Sequence, residues 1–218
     1  MPPIRWLLIA ILALAPGAAW AAACPANPPA EIRVISSVPQ PSYHHDLTRP
    51  QIGARAGSGH MTSDRRHLGL TSISHNYTVS PTVAFRRMPD GGICAWLKSV
   101  ELALKVTQFR VDVAAEYRQG SCAYDEILRH ENQHVAIDQR AYVAADRDMR
   151  TALADAVRRE QSFQVHSTQD QAVKMVLNRL EAAVRPAFEL HMGEARRANA
   201  AMDTQENYRA EQRRCKDW

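Results

Sequence analysis

Residues 130–134 read His-Glu-Asn-Gln-His. Two histidines four positions apart share one face of an α-helix, so the imidazoles of His130 and His134 can converge on a single metal ion. Glu131 follows the first of them, and from there its carboxylate reaches a water on that ion without itself being a ligand. In zinc peptidases with this spacing the metal acts as a Lewis acid and acidifies its water, while the glutamate takes the proton and hands it to the leaving amine. The pattern therefore points to a zinc-dependent hydrolase that cleaves peptide bonds with a metal-activated water. The plainer alternative is a pair of polar histidines on a helix face, with Glu131 paired to a base on a neighbouring turn or helix.

A catalytic zinc ion needs a third protein ligand and an open position. The extended metzincin pattern asks for Gly at 137 and His at 140, where this chain has Ile137 and Arg140. Asp138, four residues after His134, reads as a carboxylate accepting an imidazole N–H, or as a solvated helix residue. The third ligand then comes from the C-terminal region, where His191, Glu194, Asp203 and Glu206 are candidates. A symmetric helical hairpin turning near Gln164 sets Glu194 opposite His134, with His191 a turn away. Each also has an ordinary reading as a surface residue. Tyr208 offers a hydroxyl for a developing oxyanion, or packs on a helix end. His44 and His45 are adjacent, which suits a metal clip less well than i,i+4 spacing does. His60, His67, His75 and His166 stand alone.

These side chains need elements to hold them. From Tyr124 the sequence is rich in Ala, Leu, Glu, Arg and Gln, with no Pro or Gly until Pro186. One helix is expected from about Tyr124 to Glu160 and a second from about Gln169 to Met202, capped near Thr168 and kinked at Pro186. Before them, residues 67–117 carry short β-branched and aromatic runs around the turn signal Pro89-Asp90-Gly91-Gly92. Val100, Leu102, Leu104 and Val106 alternate, then Phe109, Val111 and Val113 alternate in the other parity. That change predicts a bulge at Thr107–Gln108 in one long strand of a small antiparallel sheet. Residues 24–66 read as an extended arm with one strand over Ile32–Ser36 and an exposed loop over Ala54–Asp64. Strands first and helices after make an α+β chain, with residues 67–218 as its zinc-helix domain.

The N-terminus has the order of a signal peptide over residues 1–23. Arg5 leads, an apolar run from Trp6 to Leu14 follows, and small residues lie around Ala21 and Ala23. The run is short for a membrane span, so no integral membrane segment is expected after cleavage. Cys24, Cys94, Cys122 and Cys215 then suit two disulfides in a periplasmic or secreted protein. Cys94–Cys122 and Cys24–Cys215 are the preferred pairs of three possible pairings. A net charge of +4, spread among acids, argues against nucleic acid as a partner and leaves a peptide or protein substrate.

With these features in hand, the chain resembles the bacterial family called domain of unknown function 922, described as secreted zinc-dependent proteases. The resemblance runs over roughly residues 67–218. It rests on Cys94-Ala95-Trp96 leading into the alternating strand, on Cys122 ahead of Leu128-Arg129-His130-Glu131-Asn132-Gln133-His134, and on Asp203-Thr204 and Cys215. It implies a zincin-like fold, bound zinc and peptidase activity. Many relatives carry His-Gly shortly after the C-terminal Asp-Thr. Here the matching place lies close to Glu206–Tyr208 and holds no histidine, so Glu206, or else Asp203, takes the role, unless the site is incomplete. The alternative to an enzyme is a non-catalytic zincin-like protein that binds metal or serves the cell envelope through its helical hairpin.

Overall fold

The computed structural model describes residues 24–38, 40–57, 68–216 and 218. The expected leader, His60 and His67 lie outside them, as does the later part of the expected loop.

Strand β4 (Ile93–Val113) organises the sheet. On one side it pairs antiparallel along its whole length with β3 (Gly69–Arg87), through the Pro89–Gly92 turn. On its other side it takes β1 (Glu31–Ser36) and β2 (Ser42–His44) in parallel, and the two-residue β5 (Phe163–Gln164) antiparallel. The sheet is therefore mixed, not antiparallel, and residues 24–57 give it the expected strand near Ile32–Ser36 as β1 and a second short one, β2. A disulfide joins Cys24 to Cys94, so the chain enters beside the start of β4 and runs along it in the same direction. Helix α1 (Arg49–Ala56) covers the start of the expected loop and buries Ile52 completely.

The expected bulge is present. Ser74 faces Gln108 and His75 faces Val106, which leaves Thr107 unopposed. A second shift, around Lys98, has no counterpart in the alternation.

Two long helices, α2 (Cys122–Arg159) and α3 (Gln169–Met202), pack on one face of the sheet. Ser121 caps α2 by accepting the Tyr124 amide, and Thr168 with Gln171 forms a capping box on α3. Helix α3 runs unbroken through Pro186. A short helix, α4 (Gln205–Gln212), follows it. The core interleaves Leu97, Val100, Leu102 and Leu104 of β4 with Met149 and Leu153 of α2 and Val176, Leu180 and Val184 of α3. On α2 the buried stripe recurs every three or four residues from Ile127 to Val157. Between Ile127 and Tyr142 that stripe is mostly polar: His130, Glu131, His134 and Asp138 are all buried. Buried polar groups must be satisfied by one another or by a ligand.

The second disulfide is Cys122–Cys215, so both preferred pairings are wrong. Twenty-one residues of β4 span roughly 70 Å, with Cys94 near one end and Cys122 beyond the other. No single bridge crosses that length.

Candidate metal centre

Three ligand atoms meet where α2 passes the end of α3. His130 Nε2 and His134 Nε2 are 3.1 Å apart, and each is 3.1 Å from Oδ1 of Asp203. Asp203 caps the C-terminus of α3. Donors about 2.0–2.1 Å from a zinc ion, at tetrahedral angles, stand about 3.3 Å from one another. The triangle is close to the base of such a tetrahedron, and two imidazoles with one carboxylate are a donor set that zinc takes.

The neighbours of the imidazoles fix where their protons are. His134 Nδ1 lies 3.0 Å from Oδ1 of Asn199, whose own Nδ2 donates to Asp138 at 3.0 Å. An ionised carboxylate only accepts, so Asp138 orients the Asn199 amide with its oxygen toward the histidine. His130 Nδ1 lies 3.1 Å from Oε1 of Glu211 on α4. Both Nδ1 atoms thus face acceptors and carry the proton in the neutral rings, an assignment that rests on these partners. Both Nε2 lone pairs then converge on a carboxylate oxygen. Three acceptors at this distance require a cation between them, either a proton on an imidazole or a metal ion.

Glu131 is buried on the β3 side of α2. Thr71 Oγ1 donates to its Oε2 at 2.8 Å and also lies 3.1 Å from its backbone carbonyl oxygen. Gly69 gives the carboxylate its space, because the backbone there passes too close for a side chain. Tyr208 of α4 donates to Asp203 Oδ1 at 2.8 Å, with its ring 5.2 Å from that of His130. A cavity of about 180 Å³ opens beside His130, lined among others by Arg129, Gln133 and Glu211.

The electrostatics follow from burial and from this crowding. Burial alone lowers the histidine pKa values, but Asp203 and the other acceptors outweigh it. His130 is raised, and His134 is raised to about 9. Burial pushes the Glu131 carboxyl up, against the pull of both imidazoles. Burial works the same way on Asp203, but the imidazoles and the Tyr208 hydroxyl hold it well below the usual carboxylate range. Burial and the adjacent Asp203 charge push the Tyr208 phenol well above its ordinary value, so it remains a neutral donor.

No family model, curated protein or solved structure matches the chain.

Of the residues singled out in the sequence, His130, Glu131, His134, Asp203 and Tyr208 come together. Glu206 does not join them: it is exposed in the first turn of α4. His191 bonds Asp148 at 2.8 Å and pairs with Glu194 at 3.4 Å, away from the centre. The symmetric hairpin fails because residues 160–168 run out to pair β5 with β4, so Asn199 and Asp203 meet His134 where Glu194 was expected. Asp138 serves His134 through Asn199, not directly. His44 and His45 diverge, the first to Ser42 and the second to the Tyr117 carbonyl. Asn199, Glu211, Thr71 and Gly69 were missed. Asn199 and Asp203 did leave a signal, being four apart on one helix face like the histidines they meet.

Proposed function

We propose that this chain is an exported zinc-dependent metallopeptidase that hydrolyses peptide bonds of a peptide or protein substrate. The observation that carries the reading is the 3.1 Å triangle of His130 Nε2, His134 Nε2 and Asp203 Oδ1, with both Nδ1 atoms committed to acceptors. A buried glutamate beside the triangle turns a metal-holding cluster into a candidate for hydrolysis.

His130, His134 and Asp203 would hold the zinc, which supplies a Lewis acid for the scissile carbonyl and for a water. Glu131 accepts the proton of the attacking water at its carboxylate and passes it to the departing amine. Burial raises its pKa above the ordinary carboxylate value, against the pull of both imidazoles, which makes it a stronger base than an exposed glutamate. Thr71 fixes one carboxylate oxygen, which sets the direction of the other. The Tyr208 hydroxyl, neutral and bonded to Asp203, would donate to negative charge on the carbonyl oxygen by turning its single O–H from Asp203 toward it. Glu211, and Asp138 through Asn199, keep the imidazoles in the tautomer that presents Nε2.

The reading includes a zincin-like fold, with the metal helix against β3, and kinship with the domain of unknown function 922 proteins. Two disulfides fit an oxidising compartment, periplasmic or extracellular. Among the described residues no helix is long and apolar enough to cross a membrane.

The test compares wild type with Glu131→Gln on a peptide library, with zinc content measured in both. The variant is expected to keep its zinc and lose about 10²–10⁴-fold in cleavage rate. Zinc-loaded wild type that cleaves nothing, or a variant that cleaves equally well, overturns the peptidase reading and leaves a non-catalytic metal-binding protein.

A further inference from the structure

Three of the groups around the histidines lie beyond the body of α3: Asp203 at its cap, and Tyr208 and Glu211 on α4. Helix α4 has no buried residue to hold it in place. It touches the end of α3 through Asn207 and the centre through Tyr208 and Glu211, and its covalent attachment is at its far end, where Cys215 bonds Cys122 and Arg214 pairs with Glu126 at 3.0 Å. Cys122 opens α2, about two helical turns before His130. The bond therefore ties α4 to the helix that carries both histidines.

We propose that the Cys122–Cys215 disulfide is the latch of the metal centre, so that full zinc affinity belongs to the oxidised chain alone. This rests on the zinc reading above. Without the latch, Asp203 stays near the histidines because α3 still packs on α2. Tyr208 and Glu211 leave with α4, and His130 loses the acceptor at its Nδ1. Loss of such an outer partner typically weakens metal binding by about 10–100-fold.

Closing the latch is thiol–disulfide exchange. The two thiols give up two protons and two electrons as their S–S bond forms, and a disulfide oxidant such as glutathione disulfide takes them up as its own S–S bond breaks into two thiols. Attack by an external thiol reverses it. Each disulfide has one buried sulfur partner, Cys215 in the latch and Cys94 in the other, but Cys122 is exposed where Cys24 is only partly so, and an external thiol therefore meets the latch more readily. A newly made, reduced chain thus carries a weak site, and tight zinc binding follows oxidation.

The test measures zinc affinity with a competing chelator in four samples: oxidised wild type, Cys122→Ser/Cys215→Ser, Cys24→Ser/Cys94→Ser, and folded wild type mildly reduced and alkylated. Alkylation keeps the freed thiols from binding zinc, and that sample needs no refolding if a serine variant misfolds. Far-UV circular dichroism monitors the fold. The expected result is tight binding by oxidised wild type, with affinity lower by about 10–100-fold in the alkylated chain and the Cys122/Cys215 variant, and unchanged in a folded Cys24/Cys94 variant. Equal affinity in oxidised and alkylated chains overturns the latch and leaves the zinc site standing. No binding by oxidised wild type overturns the zinc reading, and the latch falls with it.

Discussion

A Cβ built on Gly69 would lie 2.5 Å from Oε1 of Glu131 and 2.8 Å from its Cγ. The first residue of β3 is thus a glycine because the side chain of the proposed general base occupies the space. Ile127, also 2.8 Å away, closes off another route of escape. Gly69→Ala must move Glu131, α2 or the strand. The expected cost is about 1–3 kcal/mol of stability, read in denaturant melts. With the histidines untouched, zinc content should hold while cleavage falls by roughly two orders of magnitude, the scale of an ångström's misplacement. Full activity in this variant would separate Glu131 from the chemistry.

Asn199 joins two buried groups that do not meet, His134 and Asp138. Asn199→Ala leaves a histidine N–H and a carboxylate without that partner, so about 1–3 kcal/mol of destabilisation is expected. Zinc affinity should drop about 10–100-fold. Asn199→Asp should weaken folding further, because it puts a second negative charge against Asp138. Calorimetric zinc titration and thermal melts read both effects. An Asn199→Ala chain that binds zinc as tightly as wild type would mean that His134 needs no orienting partner.

The His134 pKa sets a pH dependence. In the metal-free chain burial lowers it, but the bonds to Asp203 and Asn199 prevail and raise it from 6.5 to about 9. A folded value above the unfolded one means the charged ring stabilises the metal-free chain fully below pH 6.5, and that contribution is lost as pH rises through about 9. Zinc takes the neutral ring, so binding below that range expels a proton. Zinc affinity should therefore rise by at least about tenfold per pH unit between roughly pH 6.5 and 8.5. The metal-free melting temperature should fall toward pH 9 while that of the zinc-loaded chain stays flat. Titration in buffers of different ionisation enthalpy counts the protons, and none released at pH 7 would contradict this electrostatic picture.

Much of the frame was legible because it repeats. The i,i+4 histidines, the bounds of α2 and α3, the hairpin turn and the Thr107 bulge are all local patterns, and local patterns survive tertiary packing. Long-range pairings were not legible. The parallel seating of β1 and β2 depends on where Cys24 is pinned, and no periodicity in residues 24–57 records it. The disulfide pairing depended on the length of β4, which puts Cys94 and Cys122 at opposite ends of the molecule. The third donor turned on the helix register, which the excursion of residues 160–168 to the sheet reset. Glu206 and Asp203 are three residues apart in sequence, but one is exposed on α4 and the other caps α3 at the imidazoles.

The most direct test of the centre is the metal content of the purified mature chain by mass spectrometry, with His134→Ala and Asp203→Ala beside wild type. The geometry predicts one zinc per wild-type chain, lost in His134→Ala and lost or greatly weakened in Asp203→Ala, with the fold retained in each. A wild-type chain that holds no zinc and takes none up would contradict it. The cluster would then be a hydrogen-bonded histidine pair held together by a proton.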